Sequence, residues 1–315
     1  MSKACESLAE VVRETQRILD DDRKNSPKNE KATYWFRGEA RSHDHAGPYA
    51  ITTAFQPYIY RNEGWWLNER KMYEEALRLN VVSFSEDTRM SERIARMQHY
   101  QLPTRFCDIS DNALLSTFFA TDKTGTNKGK DGFVRIIKVD DRKMKSFTSD
   151  IIIAISHLPL VDAEDLDLKD VNGKGLHYLT YEIANERSAF HSANDNEKLG
   201  KQLQEDLQQV WAFRPIINNR RIRAQGGAFL AFGCGHHKKP LDATFAPEDY
   251  EIKEGDGIKK PTQGIKQIGF VRIAEGKKSD IRKQLRHFGM PEEAVYPDLT
   301  EVCECIKCKF ESKKE

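Results

Sequence analysis

Apolar and polar positions alternate along the chain with two periods, and the changes of period mark out its elements. Residues 6–20 place Leu8, Val11, Val12, Ile18 and Leu19 at helical spacing, and the charged, proline-containing DDRKNSPKNEK that follows ends that helix. TYWFRG (33–38) is a short aromatic and β-branched run closed by glycine, which predicts a buried strand with Arg37 at its end. Apolar residues then recur at three- and four-residue steps over 65–80 and again over 85–100, where serine and acidic residues precede the stripe, so two helices are predicted. Pro103 stops the second of them, TRFCDIS (104–110) reads as a strand, and Ser110 or Asp111 caps the apolar helix NALLSTFFATD. After the turn TGTNKGKDG come the strand FVRIIKV (133–139) and a further strand in SDIIIAIS (149–156); residues 157–182 carry no clear period. NDNEKLGKQLQEDLQQVWAF predicts a polar helix with an aromatic end stopped by Pro215, and RPIINNRRIRAQGGAFLAFG two strands about a tight turn. GFVRIAE (269–275) is a last strand, KSDIRKQLRHFGM a helix closed by Gly289, and DLTEVCECIKCKF a final helix.

No repeat or sharp linker interrupts this order. It predicts one α+β domain with a central mixed or antiparallel sheet flanked by helices: residues 1–33 as N-terminal helix and linker, 34–308 as the domain proper with an exposed basic excursion at about 238–267, and 309–315 as a charged tail. A chain of 315 residues buries a substantial core without disulfide or metal staples. Lys and Arg number 50 and Asp and Glu 49, so no global charge draws the protein to nucleic acid or membrane, and any such affinity is local. No apolar run has the length of a membrane span, and the opening MSKACESLAE lacks the basic-then-apolar order of a secretion signal, which predicts a cytoplasmic protein. The six cysteines are unevenly spaced, so reduced thiols are expected. Cys303, Cys305 and Cys308 supply three thiolates that become a zinc site only with a fourth ligand such as Cys234, His236 or His237; no metal is expected.

Three stretches carry candidate chemistry. Arg37, flanked by Trp35 and Phe36 and followed by Gly38, suits bidentate capture of phosphate or carboxylate, or alternatively an ion pair with Glu39 or another acid. In QHYQLPTRFCDIS, strand alternation puts Thr104, Phe106, Asp108 and Ser110 on one face and Arg105, Cys107 and Ile109 on the other; the polar face either braces the sheet or lines a pocket. His99 is a structural histidine or a general base. Residues 207–241 hold Arg214, Arg220, Arg221, Arg223, Lys238 and Lys239, a local footprint for a polyanion or a solvated face balanced by acids elsewhere. Within it, Gly226 and Gly227 beside Gln225 let a ligand approach the main chain. His43, Asp44 and His45 match no tight metal spacing and fit a solvated turn.

In order along the chain, WFRGEA, AFQPYIYR, MQHYQLPTRFCDISDNALLSTFFA, RRIRAQGGAF and LRHFGMPEEAVYPDLT resemble the FRG-domain family of bacterial and phage-associated proteins, over about Tyr34 to Cys308. Gln101 stands where the family has glycine, Cys107 where it has leucine, and DIS where it has DWT; polarity at Asp108 and the hydroxyl at Ser110 are kept. The order of the blocks is also similar to the arginine–serine–glutamate ADP-ribosyltransferases. That similarity implies an enzyme in which Arg37, Gly38, Thr104 and Arg105 hold NAD, Asp108, Ser110 and Gln225 line the reacting end, and Arg220, Arg221 and Arg223 bind nucleic acid. It implies toxin-like transfer of ADP-ribose to RNA or protein, in phage defence or beside a neutralising antitoxin. Gln225 is neutral where those enzymes carry an acid, so either Asp108 or Glu39 supplies the charge or the protein is a non-catalytic nucleotide or nucleic-acid sensor. Backbone hydrolysis through His99 is a third reading that lacks paired histidines or clustered carboxylates.

Overall fold

The computed structural model describes residues 3–41, 57–123, 129–187, 193–216, 227–241, 243–245, 260–261 and 263–296. Ser7 caps the first helix, α1 (Leu8–Asn25), which runs on past the first acidic residues until Ser26 and Pro27 turn the backbone extended. Strand β1 (Ala32–Glu39) follows, then the short α2 (Glu63–Leu67) and α3 (Glu69–Leu79), separated at Asn68 within the single helix that periodicity predicts over 65–80. After α4 (Met90–His99) come β2 (Phe106–Ser110) and α5 (Ala113–Ala120). The cap of α5 is Asn112, whose side chain accepts from the N–H groups of Leu114 and Leu115, rather than Ser110 or Asp111.

Strands β3 (Gly132–Asp140) and β4 (Met144–Ser146) lead to α6 (Asp150–His157), which corrects the strand expected over 149–156. Seven of its eight residues are buried, so it shows no exposed polar face, and the short apolar run 151–155 at its centre has no period to separate helix from strand. Next are α7 (Lys174–Arg187), α8 (Ala193–Asp206) and β5 (Val210–Arg214); the aromatic end VWAF belongs to this strand and not to the preceding helix. Strand β6 (Gly227–Phe232) is the second of the pair expected over 214–233, and the turn before it lies outside the described residues. A two-residue pair, β7 (Ala243–Thr244) with β8 (Lys260–Pro261), precedes β9 (Ile265–Ile273), α9 (Lys278–His287) and α10 (Glu292–Val295). Gly289, at a φ of 80°, closes α9 as its sequence predicts. The final helix expected over 298–310 lies outside the described residues.

Seven strands form one mixed sheet in the order β4-β5-β6-β2-β1-β3-β9, in which only β4 and β5 run parallel. The chain is thus a single α+β domain, as its pattern predicts. One face of the sheet buries Trp35, Cys107, Ile109, Ile137, Ala212, Leu230 and Phe232 against one another; strands packing on their own sheet in this way require it to curl. The outer face carries two helical layers. Helices α4, α6, α7 and α8 cover Phe106, Phe213 and Phe229, while α1, α5 and α9 cover Phe36, Val134, Ile136 and Val271. Helix α1 is also tied to β3 by buried Lys138, whose Nζ is 2.9 Å from Asp22 and 2.5 Å from Glu30. Among the described residues no helix is long and apolar enough to cross a membrane.

Candidate functional site

The two helical layers part where β1 meets β2. β1 pairs with β3 at eight positions and β2 with β6 at five, yet β1 and β2 share the single register pair Phe36–Ser110. Strands that diverge after one pair leave main-chain groups to be satisfied by other means. Arg37 does part of this: its Nη1 donates to the Asp108 carbonyl at 2.7 Å and lies 4.0 Å from the Asp108 carboxylate. A cleft of about 320 Å³ opens at this parting, with Phe36, Phe119, Phe229 and Tyr296 as apolar walls and Arg37, Asp108, Ser110, Gln98 and His99 as polar lining.

Arg37 is not the partner of Glu39. The Glu39 carboxylate takes Arg135 Nε at 2.6 Å, with both side chains 3% exposed, and the acid that faces Arg37 is instead Asp108, at 4.0 Å, so Arg37 has an ion-pair partner that itself lines the cleft. Burial works against the charge of Arg37, but Cys107, Asp108, Glu39 and Tyr58 outweigh it and hold its pKa above the ordinary value, so the guanidinium is a permanent cation in the cleft. Asp108 is half exposed and is steadied where β1 and β2 part: Thr104 Oγ1 donates to Gln98 Oε1 at 2.7 Å, and Gln98 Nε2 donates to Asp108 Oδ2 at 3.2 Å. Thr104 is itself buried, so its place is behind the carboxylate and not against a ligand. The Ser110 hydroxyl accepts from the Asn112 N–H at 3.1 Å, linking the end of β2 to the start of α5. Burial pushes the Cys107 thiol up to about 11, which removes it as a nucleophile near neutral pH.

Arg105 is a correction. It is 1% exposed, points to the side of β2 opposite Asp108, and spends its donors on Glu69 at 2.7 Å and the Gly233 carbonyl at 3.1 Å. The same alternation that aligns Asp108 with Ser110 turns Arg105 away from the cleft. Lys238 is likewise withdrawn from the basic footprint, since it lies buried 3.4 Å from Glu69 and donates to the Val161 carbonyl. Gln225, Arg220, Arg221, Arg223, His43, Asp44, His45, Cys303, Cys305 and Cys308 lie outside the described residues. Cys234 sits buried beside Arg105 and Lys238, while His236 faces Asp167 at 3.3 Å; among the described residues no group of three or more His, Cys, Asp or Glu side chains is arranged to hold a metal.

The glycines divide by role. A Cβ on Gly38 would lie 1.9 Å from the Ser116 carbonyl oxygen, so this glycine admits helix α5, and it lines the cleft as well. Gly227, which also lines the cleft, is the opposite case: its Cβ would meet only the Ile109 carbonyl oxygen, at 3.9 Å. Gly227→Ala is therefore expected to melt within about 1 kcal/mol of wild type while weakening any ligand that lies against this wall. Urea unfolding beside ligand titration checks both halves of that statement.

Two further residues, one lining the cleft and one stacked on it, are not singled out by the sequence pattern. Tyr58 lines the cleft, and Arg61 lies over the Tyr58 ring at 4.4 Å, both on a one-turn 3-10 helix (Tyr58–Arg61). The only signal was the YIYR run itself, an arginine one turn after a tyrosine.

No curated protein and no solved structure matches the chain. One family does: residues 32–129, from the start of β1 to just short of β3, match the FRG domain. That segment supplies Arg37, Asp108 and Ser110 together with the helix that roofs them, so the chain carries an FRG domain over residues 32–129, with the cleft built largely from it.

Proposed function

We propose that the cleft binds NAD and that the protein transfers ADP-ribose from it to a macromolecular acceptor, RNA or protein. The observation that supports this best is the meeting of Arg37 and Asp108, 71 residues apart, at the parting of the sheet between aromatic walls. Arg37 offers a cation for a phosphate, and Phe36, Phe119 and Tyr296 offer apolar surface for a base or the nicotinamide ring. In transfer, the bond between nicotinamide nitrogen and ribose C1′ breaks, its electron pair neutralises the pyridinium, and positive charge develops on the ribose. Asp108, half exposed and oriented by Gln98, is the carboxylate that would face that charge. The acceptor nucleophile then bonds to C1′ and releases its proton to solvent.

The test is incubation with NAD labelled in its adenylate half, with cell extract present. Label in RNA or protein together with free nicotinamide is expected; absence of both sinks the proposal. Arg37→Ala should abolish the signal, and Asp108→Asn should cut nicotinamide release about 100-fold with NAD binding retained. Expression provides a second readout: growth inhibition by the wild type, relieved by either substitution, fits a toxin held by a neutralising partner. The placing of Arg37 only 4.0 Å from Asp108 favours a second reading, because a cation so close offsets the carboxylate. Under it the protein is a nucleotide sensor, and calorimetry would give binding, lost in Arg37→Ala, without turnover.

A further inference from the structure

We infer that Arg61 is the second arm of an anion clamp with Arg37, which fits the cleft to a diphosphate and not to a lone phosphate. The inference rests on the nucleotide reading above and adds to it a residue and a ligand class.

The chain builds Arg61 into place. Pro57 holds the backbone extended ahead of the Tyr58–Arg61 turn, and Asn62 then caps α2 by accepting from the Gly64 N–H. Trp65, on that helix, stacks on Tyr58 with ring centroids 5.8 Å apart and planes 15° from parallel, and the Arg61 guanidinium lies over the same tyrosine at 4.4 Å. Two aromatic rings thus steady the position of the cation. A ring face holds a guanidinium without cancelling its charge, as a carboxylate would.

Arg61 and Arg37 face the same three groups, Tyr58, Cys107 and Glu39. Of these, Glu39 is committed to Arg135, and the Cys107 thiol is neutral near pH 7. Among the described residues Arg61 has no ion pair of its own, and burial together with the charge of Arg37 makes its cationic form costlier than in water. Two cations so placed repel each other; Asp108, 4.0 Å from Arg37, offsets that charge in part, while Arg61 has no carboxylate of its own among the described residues. An anion with two charged centres relieves that repulsion best, because each centre can take one guanidinium in bidentate fashion. ADP, inorganic pyrophosphate and the bridging diphosphate of a dinucleotide share this chemistry.

The experiment is calorimetric titration of the full chain with ADP, AMP and inorganic pyrophosphate, for the wild type, Arg61→Gln and Arg61→Lys, with thermal melts to confirm folding. The wild type is expected to bind ADP at least about 30-fold tighter than AMP, and Arg61→Gln to bring the two within about threefold while leaving AMP unchanged. Arg61→Lys, which keeps the charge but not the planar fork, should lose about three- to tenfold for ADP only. A wild-type preference for ADP that survives in Arg61→Gln overturns the clamp and leaves the NAD proposal standing. Should Arg61→Gln fail to fold, an unchanged ratio in Arg61→Lys overturns it equally. Loss of the preference in the variants without nicotinamide release from NAD by the wild type supports the clamp and defeats the transfer reaction. A wild type that binds neither ADP nor pyrophosphate overturns both.

Discussion

Glu69→Gln is expected to lower stability by about 3–5 kcal/mol at pH 7, because it strands two buried cations at once. Glu69 is 5% exposed and its Oε2 receives Arg105 Nη2 at 2.7 Å and Nε at 2.9 Å, while Lys238 Nζ lies 3.4 Å away. The cluster joins α3 to the start of β2 and to the 3-10 turn His236–Lys238, so that a helix outside the sheet is tied to the β2–β6 strand pair. Burial lowers the pKa of Lys238 from its ordinary 10.5, and Glu69 is the first of the groups that oppose this. With Glu69 neutral the folded-state value falls further. Between that value and the unfolded one the unfolded chain binds more protons, so stability rises with pH in this window. The deficit of the variant should therefore narrow as pH is raised from 7 toward 10, yet not close, since Arg105 stays protonated throughout. Urea unfolding at several pH values measures this: a deficit independent of pH removes Lys238 from the cluster, and one below about 1 kcal/mol denies that the charges are buried as described.

How much of this was legible beforehand depends on whether an element shows one face to water. Helices α1, α4 and α9 do so, while strands β1, β2 and β3 are marked at one end by Gly38, Pro103 and Gly132, and the patterns match the observed segments closely. Helix α6 is enclosed by α4, α7 and α8, so its centre, residues 151–155, is apolar at every position and the period that would identify it vanishes. Strand β5 was hidden for another reason: it begins four residues after a polar helix ends, and nothing in LQQ marks the boundary. At the site, Asp108 and Ser110 could be read as neighbours from strand alternation, and Arg37 from its aromatic setting. Arg61 could not. Its placement depends on a stack of Trp65 on Tyr58, a tertiary contact that one arginine after YIY does not announce.

Gly38→Ala is expected to cost more than about 3 kcal/mol, at or above the upper end of ordinary overpacking. The added Cβ would stand 1.9 Å from the Ser116 oxygen, 2.8 Å from its carbonyl carbon and 3.0 Å from the Ala120 nitrogen. All three are backbone atoms of α5, so no side chain can rotate away, and the helix must lift from the sheet. It cannot lift freely, because Gly132 on the next strand seats the same helix, with a Cβ position 2.0 Å from the Ala120 oxygen. Leu115, Ser116 and Phe119 of α5 also form part of the cleft wall, so displacement of the helix would impair the site along with the fold. Loss of ligand binding in Gly38→Ala would then report a moved helix and not a lost contact to the glycine. Gly227→Ala separates the two causes, since it adds a methyl group to the same cleft without a clash. Near-UV circular dichroism and urea unfolding should show Gly38→Ala destabilised with altered aromatic packing and Gly227→Ala native. A Gly38→Ala protein within about 1 kcal/mol of wild type would instead return this glycine to the ligand, as the reason the arginine before it can be approached.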